Sequence, residues 1–448
     1  MKKIRIGAAT GFYGDSIIPA IPSITDGNID YLCFDALAEL TMAILQKDRQ
    51  KNPEWGYTKD IGPFMETLLP LCVEKKVKIL TNAGGINPLG AKKVVDEIIK
   101  RLNLDLKVAV VYGDDMMSNL EELKQNNLLV NMQSKESFKH NDYELLFANA
   151  YLGAKPLVEA LQQGADIVIS GRTIDAAQFA APMIYEFGWE WDDWDRLAKG
   201  MTIGHLMECS GQAVGGNFSG DWRSIDLINI GFPIAEVDEL GEAIITKAPG
   251  TGGLVSRDTL KEQLLYEVHD PYNYILPDVV VNIADTCLED IGENQVRVYG
   301  STGKPATDTY KALIGYADGY MAEAIFGYSW PDALEKAKSA SEILIAHMER
   351  DKLLYEDIDI SYIGYNSMHR SVINEPDPDL NEVFLRLAIK VRKRSDGTRL
   401  SRIVSPLGLS GPPFLAGMLG RGRATQLLGI CPILIPKELV EKQVKVEM

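Results

Sequence analysis

The sequence lacks the marks of a membrane, secreted or disulfide-bonded protein. No apolar run reaches the ~18 residues that a membrane-spanning helix needs, and the basic start MKKIRIG is followed by polar residues instead of a signal-peptide core. Cysteine is scarce, with five residues, an odd number, and no CxxC spacing. We therefore expect a cytoplasmic protein with reduced thiols and no membrane partner.

The chain also has fewer positively than negatively charged residues. The chain carries 46 Lys and Arg against 63 Asp and Glu, which gives a net charge of −17. A general nucleic-acid-binding protein presents a basic face to phosphate, so we expect no nucleic-acid partner. Small anionic ligands stay open, because a few Arg and Lys in a cleft can set a local field against the global one.

Common catalytic signatures are missing as well. The sequence contains no GxSxG elbow, no HExxH and no Walker A motif, which argues against a serine hydrolase, a zinc protease and a P-loop nucleotide hydrolase. His205, Glu208 and Cys209 share one face of a predicted helix. A lone histidine there favours a core position over a zinc ligand, so the sequence assigns no metal and no cofactor.

What is present indicates two folded domains. With 448 residues, 46% hydrophobic and 24% charged, the composition is that of a globular protein longer than one usual domain. Apolar strands and helices alternate up to about residue 220, which predicts an α/β domain over 1–220 with a mostly parallel, doubly wound sheet. Short strands and turns follow, which predicts an α+β domain over 221–448 with one long helical region over 321–348.

The first strand runs into a Gly-rich loop, GAATGFYGDS at 7–16. Open α/β sheets bind ligands at the carboxyl ends of their strands. Thr10 and Gly11 are therefore candidate substrate-binding residues, and Asp15 is a candidate catalytic residue. The alternative is a tight turn that needs glycine for its backbone conformation.

A second loop, NAGGIN at 82–87, lies between a predicted strand and a helix whose start suits Asn87 as N-cap and Pro88 in the first turn. Backbone amides at a helix N-terminus suit a carboxylate or a phosphate. Ordinary strand-to-helix turn chemistry is the alternative. The candidate binding residues of this loop are Asn82, Gly84, Gly85 and Asn87.

A third loop, SGRTID at 170–175, places an arginine and an aspartate at another strand end. The planar fork of Arg172, next to Thr173, can hold a carboxylate through two parallel hydrogen bonds. Asp175 is a candidate general acid or base, or else a structural partner of Arg172. The three loops are expected at one edge of one sheet. Asp114 and Asp115 follow a further strand, and a solvated turn is favoured there.

A fourth Gly-rich loop, KAPGTGGLVS at 247–256, lies in the predicted second domain. Its amides and its lysine can cradle an anion, although a hairpin-like connection explains the same residues. The candidate binding residues are Lys247, Gly250, Gly252 and Gly253.

These segments together resemble the acyclic terpene utilisation AtuA family. The resemblance extends to about residue 320, and it is carried by GAATGFYGD at 7–15, TNAGGINP at 81–88, GADIVISGRT at 164–173, GQAVGGNF at 211–218 and PGTGGLV at 249–255, with EQLLYE at 262–267 and LPDV at 276–279. It implies similarity to a protein encoded with the citronellol and geraniol degradation enzymes of bacteria. Those routes pass through branched acyl-CoA thioesters, with carboxylation and hydration steps, and family members often occur beside or fused to a small partner domain.

The combined reading is an enzyme that acts on a small carboxylate or a branched acyl-CoA thioester, a hydratase or lyase. Arg172 and the amides of the second loop would hold the carboxylate, Asp15 or Asp175 would move the proton, and the Lys247 loop would add anion binding. The alternative is a ligand-binding or scaffolding subunit that needs a small partner protein for activity. A nucleotide-dependent ligase or transferase is a third hypothesis, which the missing Walker A motif disfavours. We expect a homo-oligomer.

Overall fold

The computed structural model describes residues 2–370, 379–419 and 423–448. The chain forms two compact units. The first consists of Met1–Phe138, Leu146–Ile314 and Cys431–Met448, and the second of Lys139–Leu145 and Gly315–Ile430. Residues 221–314 thus fold with the first unit, so the division between the units does not coincide with the predicted boundary near residue 220.

Strands and helices alternate through the first half of the chain and give way to longer antiparallel strands later. The strands are β1 Lys3–Ala8, β2 Tyr31–Phe34, β3 Lys78–Thr81, β4 Val108–Tyr112, β5 Leu145–Ala150, β6 Ile167–Ser170, β7 Pro233–Asp238, β8 Ala243–Lys247, β9 Tyr274–Ile275, β10 Val280–Asn282, β11 Cys287–Gly292, β12 Gln295–Tyr299, β13 Thr302–Lys304, β14 Thr309–Ser329, β15 Asp357–Ile363, β16 Glu382–Val391, β17 Leu415–Leu419, β18 Thr425–Pro436 and β19 Lys445–Glu447. The helices are α1 Ala20–Thr25, α2 Glu39–Lys51, α3 Ile61–Lys75, α4 Pro88–Arg101, α5 Leu120–Gln125, α6 Lys155–Gln162, α7 Ala177–Phe187, α8 Trp194–Glu208, α9 Arg257–Leu265, α10 Ala333–Arg350, α11 Arg394–Val404, α12 Leu407–Ser410 and α13 Lys437–Glu441.

A ten-stranded sheet organises the first unit, in the order β11-β12-β8-β7-β1-β2-β3-β6-β4-β19. Its middle, from β1 to β4, is parallel, and both flanks are antiparallel. The predicted α/β class is confirmed, but the sheet is mixed rather than mostly parallel. The antiparallel flanking strands β7, β8, β11, β12 and β19 all come from residues that the sequence pattern assigned to another domain. The doubly wound arrangement stays a prediction.

Local sequence explains the central strands and their connections. All four residues of β2 and of β6 are buried, as expected for continuously apolar parallel strands. Helix α4 begins as predicted: Pro88 occupies its first turn, and the Asn87 side chain accepts a hydrogen bond from the Gly90 N–H.

The carboxyl ends of several strands meet at one edge of this sheet. Since β1, β2, β3, β6 and β4 are parallel, the segments that follow them all leave from that edge. Strand β8 runs in the same direction, because β7 is antiparallel to both β1 and β8. The loop that begins at Lys247 therefore leaves from the same edge, several strands away.

The second unit is built on an antiparallel sheet. Strand β16 pairs with β15 on one side and with the later part of β14 on the other, and β14 also pairs with β17. Helices α10 and α11 pack on β16. Residues 321–329 are strand rather than the predicted helix. Within the described ranges, no helix is both long enough and apolar enough to cross a bilayer.

Candidate functional site

A cavity of about 340 Å³ lies in the first unit, and all of its lining residues belong to that unit. This volume falls within the range of ~300–1,000 Å³ that is usual for small-molecule sites. Charged and apolar groups face it from several chain segments. The charged lining residues are Glu39, Arg172, Asp175, Glu208, Glu267 and Lys311, and the aromatic and aliphatic ones include Tyr151, Ile174, Tyr274, Ile275, Leu276 and Leu434.

Arg172 follows β6 and is fixed in place by its backbone and its stacking. Its N–H donates to Asp114 Oδ2 (3.0 Å), its Nη1 donates to the Leu37 carbonyl, and its guanidinium carbon lies 4.1 Å from the centre of the Tyr151 ring. The residue is only 2% exposed. Its buried Nε–H has no hydrogen-bond acceptor among the described residues, which leaves one guanidinium donor unpartnered there.

Asp114 positions Arg172 by accepting a hydrogen bond from its backbone N–H. Its carboxylate also accepts from Asn149 Nδ2 (2.7 Å), and burial raises its pKa to about 6. A side chain at Gly171 would place its Cβ 2.3 Å from Asp114 Oδ1, so only glycine allows this approach. The expectation of a solvated turn is wrong for Asp114, which is buried, whereas Asp115 is exposed.

Asp175 faces the same cavity beside Arg172. Its Oδ1 lies 3.0 Å from Arg172 Nη1, and 28% of its side chain is exposed. Burial raises the pKa of Asp175 to about 7, although Arg172 lowers it and Glu208 raises it. A carboxyl group with this pKa can give or take a proton near neutral pH. The structure thus brings together the arginine and the aspartate of the third predicted loop.

Glu39 and Lys311 form a second charged pair in the cavity. Lys311 Nζ and the Tyr151 hydroxyl both donate to Glu39 Oε1, each over 2.9 Å. Burial alone would raise the pKa of Glu39. The positive charges of Lys311 and Arg172 outweigh burial and lower this pKa to about 2. Sequence reasoning missed both residues. Glu39 carried a weak signal, since it follows closely after a central strand, whereas Lys311 carried none.

The end of α8 supplies a third charged group, Glu208. Its Oε1 lies 2.8 Å from Nδ1 of His205, one helical turn earlier. The predicted shared helix face is confirmed, but Glu208 lines the cavity and is not simply part of the core. Burial lowers the pKa of His205, and the neighbouring Glu208 carboxylate outweighs this, so the pKa is raised overall. In the described part of the chain, no group of three or more His, Cys, Asp or Glu is arranged to hold a metal ion.

Several predicted binding residues hold the end of β2 instead of lining the cavity. The Thr10 hydroxyl donates to the Asp35 carbonyl (2.8 Å), and Asn82 Nδ2 donates to the Asp35 carboxyl (2.7 Å). Burial raises the pKa of Asp35 well above its usual value. Thr173 is buried and accepts from Gln178 Nε2 (2.7 Å).

The rest of the second loop is a tight strand-to-helix turn. A Cβ at Gly84 would lie 2.5 Å from the Ser170 carbonyl oxygen, and Gly85 has a φ of +54°. Asn87 caps α4 and also donates to the Glu54 and Trp55 carbonyls. The N–H groups of Gly85 and Asn87 bond within the loop, to Asn82 and Gly84. These residues do not line the cavity.

Asp15 and Gly11 shape the first loop. Asp15 Oδ2 accepts from the Gly11 N–H (3.0 Å) and Oδ1 from the Ser16 N–H (2.7 Å), so its carboxylate closes its own loop. Asp15 does not line the cavity. Gly11, however, packs on the end of α8: a Cβ there would lie 3.1 Å from the carbonyl oxygen of Glu208.

The Lys247 loop lies apart from the cavity along the sheet edge. Strand β8 is five strands from β6, which corresponds to roughly 24 Å at the usual strand spacing. Lys247 Nζ donates to the Thr251 carbonyl within its own loop. Gly250 and Gly253 have positive φ, and a Cβ at Gly252 would clash with the Asp226 carbonyl oxygen, 2.4 Å away.

The fold and the cavity define a class: an α/β protein with a site where a buried arginine and a partly exposed lysine meet several carboxyl groups. The family model described as "Acyclic terpene utilisation family protein AtuA" matches residues 4–446. The chain therefore belongs to the acyclic terpene utilisation AtuA family, and the resemblance seen in the sequence is confirmed. Neither a comparison with curated proteins nor one with solved structures finds a match.

Proposed function

We propose that this protein is a metabolic enzyme of terpene utilisation that adds water to, or removes it from, a small carboxylate or a branched acyl-CoA thioester. The observation that carries the proposal is one cavity in which Arg172, with an unpartnered buried Nε–H, lies beside Asp175. The first supplies an anion-binding group and the second a proton-transfer group.

Arg172 is the group that would hold the substrate's carboxylate or thioester oxygen. Its Nη1 is occupied by Leu37 and Asp175, so the substrate oxygen would accept from Nε. A hydrogen bond from a charged donor is worth about 1.5–3 kcal/mol. Lys311 adds positive charge from another wall of the cavity.

The remaining walls suit a short branched hydrocarbon. Ile174, Ile275, Leu276 and Leu434 line the cavity along with the charged groups. Burying one methylene group contributes roughly 0.8 kcal/mol, so a branched acyl chain gains affinity here that a bare dicarboxylate does not. This contrast separates the acyl and carboxylate classes of substrate.

A thermal-shift screen tests the proposal. The panel holds short branched and unbranched acyl-CoAs, the matching free carboxylates, coenzyme A alone and nucleotides. A ligand present at 100 times its dissociation constant adds about 2.7 kcal/mol of stability, which is readily visible. We expect stabilisation by branched acyl-CoAs or carboxylates, weakened in Arg172→Gln and retained in the control Arg257→Gln, whose side chain is 58% exposed. Stabilisation by nucleotides alone, or by none of these ligands, would refute the proposal.

A further inference from the structure

We infer that Glu208, held by the buried imidazole of His205, is the second proton-transfer group of the cavity: it takes the proton from carbon, while Asp175 serves oxygen. This inference rests on the proposed function and deepens it, because it gives two carboxyl groups of one site opposite tasks. Sequence reasoning favoured a core role for this part of α8, and only the folded arrangement brings it to the site.

Glu208 is placed to touch a ligand while its other side is held. It ends α8, lines the same cavity as Arg172 and Asp175, and has a side chain only 9% exposed. Its Oε1 meets His205 Nδ1 at 2.8 Å. A carboxylate fixed by one hydrogen bond and open to a cavity has a defined direction of approach to substrate.

His205 is a positioning residue with a single side-chain hydrogen-bond partner. It is 1% exposed, its ring centre lies 5.5 Å from that of Tyr274, and its buried Nε2 has no hydrogen-bond partner among the described residues. Gln263 holds its backbone by donating to the His205 carbonyl (2.8 Å). The imidazole therefore acts through Glu208, since Nδ1 contacts that carboxylate.

The groups around His205 favour its protonated form. Burial lowers the pKa of His205, but Glu208 on its own helix, a backbone hydrogen bond at Leu264 and Glu267 from the segment after α9 raise it overall. Asp175 and Asp35 interact with Glu208 from the sheet edge, and Tyr266, Tyr274 and Cys209 are its other titratable neighbours among the described residues. A buried cation without its carboxylate would be strongly destabilising, which ties the two charges together.

Asp175, in contrast, is a carboxyl group that burial favours in its protonated form. Because burial raises its pKa to about 7, a large share of molecules hold a proton on it at neutral pH. Glu208, held by the His205 imidazole, and Asp175, beside Arg172, thus line one cavity in different surroundings. Two carboxyl groups whose surroundings differ in this way mark the base and the acid of a site.

The proton transfers balance for removal of water. Glu208 takes a proton from the carbon next to the substrate carbonyl, and the electron pair of that C–H bond forms the new carbon–carbon double bond. The neighbouring C–O bond breaks with its electron pair on oxygen, and the Asp175 proton completes a water molecule. Glu208 ends protonated and Asp175 ionised beside Arg172; exchange with solvent restores both, and addition of water runs the steps in reverse.

Exchange of the α-proton in heavy water isolates the step assigned to Glu208. The probe is isovaleryl-CoA, which has an α-proton and no hydroxyl group to lose, and NMR follows the disappearance of the α-proton signal. We expect exchange by the wild type, a fall of about 100-fold or more in Glu208→Gln, and continued exchange in Asp175→Asn. Glu190→Gln, a change at an exposed glutamate, is the matched control.

The outcomes separate this inference from the proposed function. If the wild type binds neither acyl-CoA nor carboxylate in calorimetry, both fail. If it binds but does not exchange the proton, or if Glu208→Gln exchanges at the wild-type rate, the assignment of Glu208 is overturned and anion binding stands. Should Glu208→Gln not fold, Glu208→Asp keeps the charge and moves the carboxylate back, and exchange must fall by at least tenfold there.

The positioning role of His205 has its own readout. His205→Gln keeps a donor for Glu208, whereas His205→Leu removes it. We expect His205→Leu to slow exchange without changing the dissociation constant for isovaleryl-CoA, and His205→Gln to restore a large part of the rate. Equal rates in the two variants, with both folded by circular dichroism, would overturn the positioning role.

Discussion

Replacing Asp175 with Asn should make the protein more stable at neutral and alkaline pH, although it removes the proposed acid. The pKa of Asp175 is raised from 3.8 to about 7 by burial. A pKa raised this far corresponds to about 4 kcal/mol of unfolding free energy. The folded state binds the proton more tightly than the unfolded state, so the stability that Asp175 contributes is full below pH ~4 and is lost as the pH rises through about 7. Asn is neutral throughout and escapes this loss.

Urea unfolding of both proteins at a series of pH values measures the effect. The difference in unfolding free energy should shift in favour of Asp175→Asn by about 4 kcal/mol between pH ~4 and pH ~8, and most of the shift should fall between the two pKa values. Other titrating groups are common to both proteins and cancel in the difference. Asp192→Asn, at an exposed aspartate, is the control. A difference that does not change with pH would refute the burial argument for Asp175.

Three further perturbations probe the supports of the cavity. Gly171→Ala places a Cβ 2.3 Å from Asp114 Oδ1, so Arg172 must move; calorimetry should find carboxylate or acyl-CoA binding weakened by at least tenfold, and unchanged affinity would contradict the packing. Lys311→Met removes the main group that lowers the pKa of Glu39 from 4.5 to about 2. The Glu39 carboxylate stabilises the fold above pH ~4.5, and this stabilisation is lost as the pH falls toward ~2. Acid unfolding curves should therefore show a smaller loss of stability over this pH range in the variant than in the wild type. Asn87→Ala removes the cap of α4 and should lower the unfolding free energy by about 1 kcal/mol, with ligand affinity retained because the residue does not line the cavity.

Local signals in the sequence predicted the elements that depend on local chemistry. The segment from β3 to α4 was predictable because an apolar strand, an asparagine cap and a first-turn proline occur in order. Arg172 and Asp175 were predictable for a similar reason, since they lie together just after a buried strand. Membership of the family followed from Gly-rich segments that are themselves local.

The elements that the sequence did not predict are strands that pair with segments far away in the chain. Residues 321–329 are rich in Ala, Met and Glu, which favour helix, yet they pair with β16 along the strand from Tyr320 to Ser329 and this tertiary pairing outweighs intrinsic propensity. The strands after residue 221 carry turn signals of an independent domain but extend the first sheet by antiparallel pairing.

The residues of the candidate site likewise include some that local sequence predicted and others that distant contacts bring in. Lys311 reaches it because the Tyr151 N–H bonds to the Lys311 carbonyl (2.9 Å), a contact between segments far apart in the chain. Glu208 lies at the end of α8, where the first loop packs closely through Gly11. Loops that looked alike in sequence, at 82–87 and 247–253, have internal hydrogen-bond partners, and periodicity gives no sign of that.

Incorporation of heavy oxygen from labelled water tests most directly the proposal that the protein adds water to its substrate. The wild type and Asp175→Asn are incubated in that water with branched α,β-unsaturated acyl-CoAs and the free acids, and mass spectrometry follows the products. We expect one labelled oxygen in a hydroxyl product of the wild type and a rate of incorporation about 100-fold or more lower in Asp175→Asn. Binding of these compounds without any incorporation of label, or incorporation at an equal rate in the variant, would contradict it.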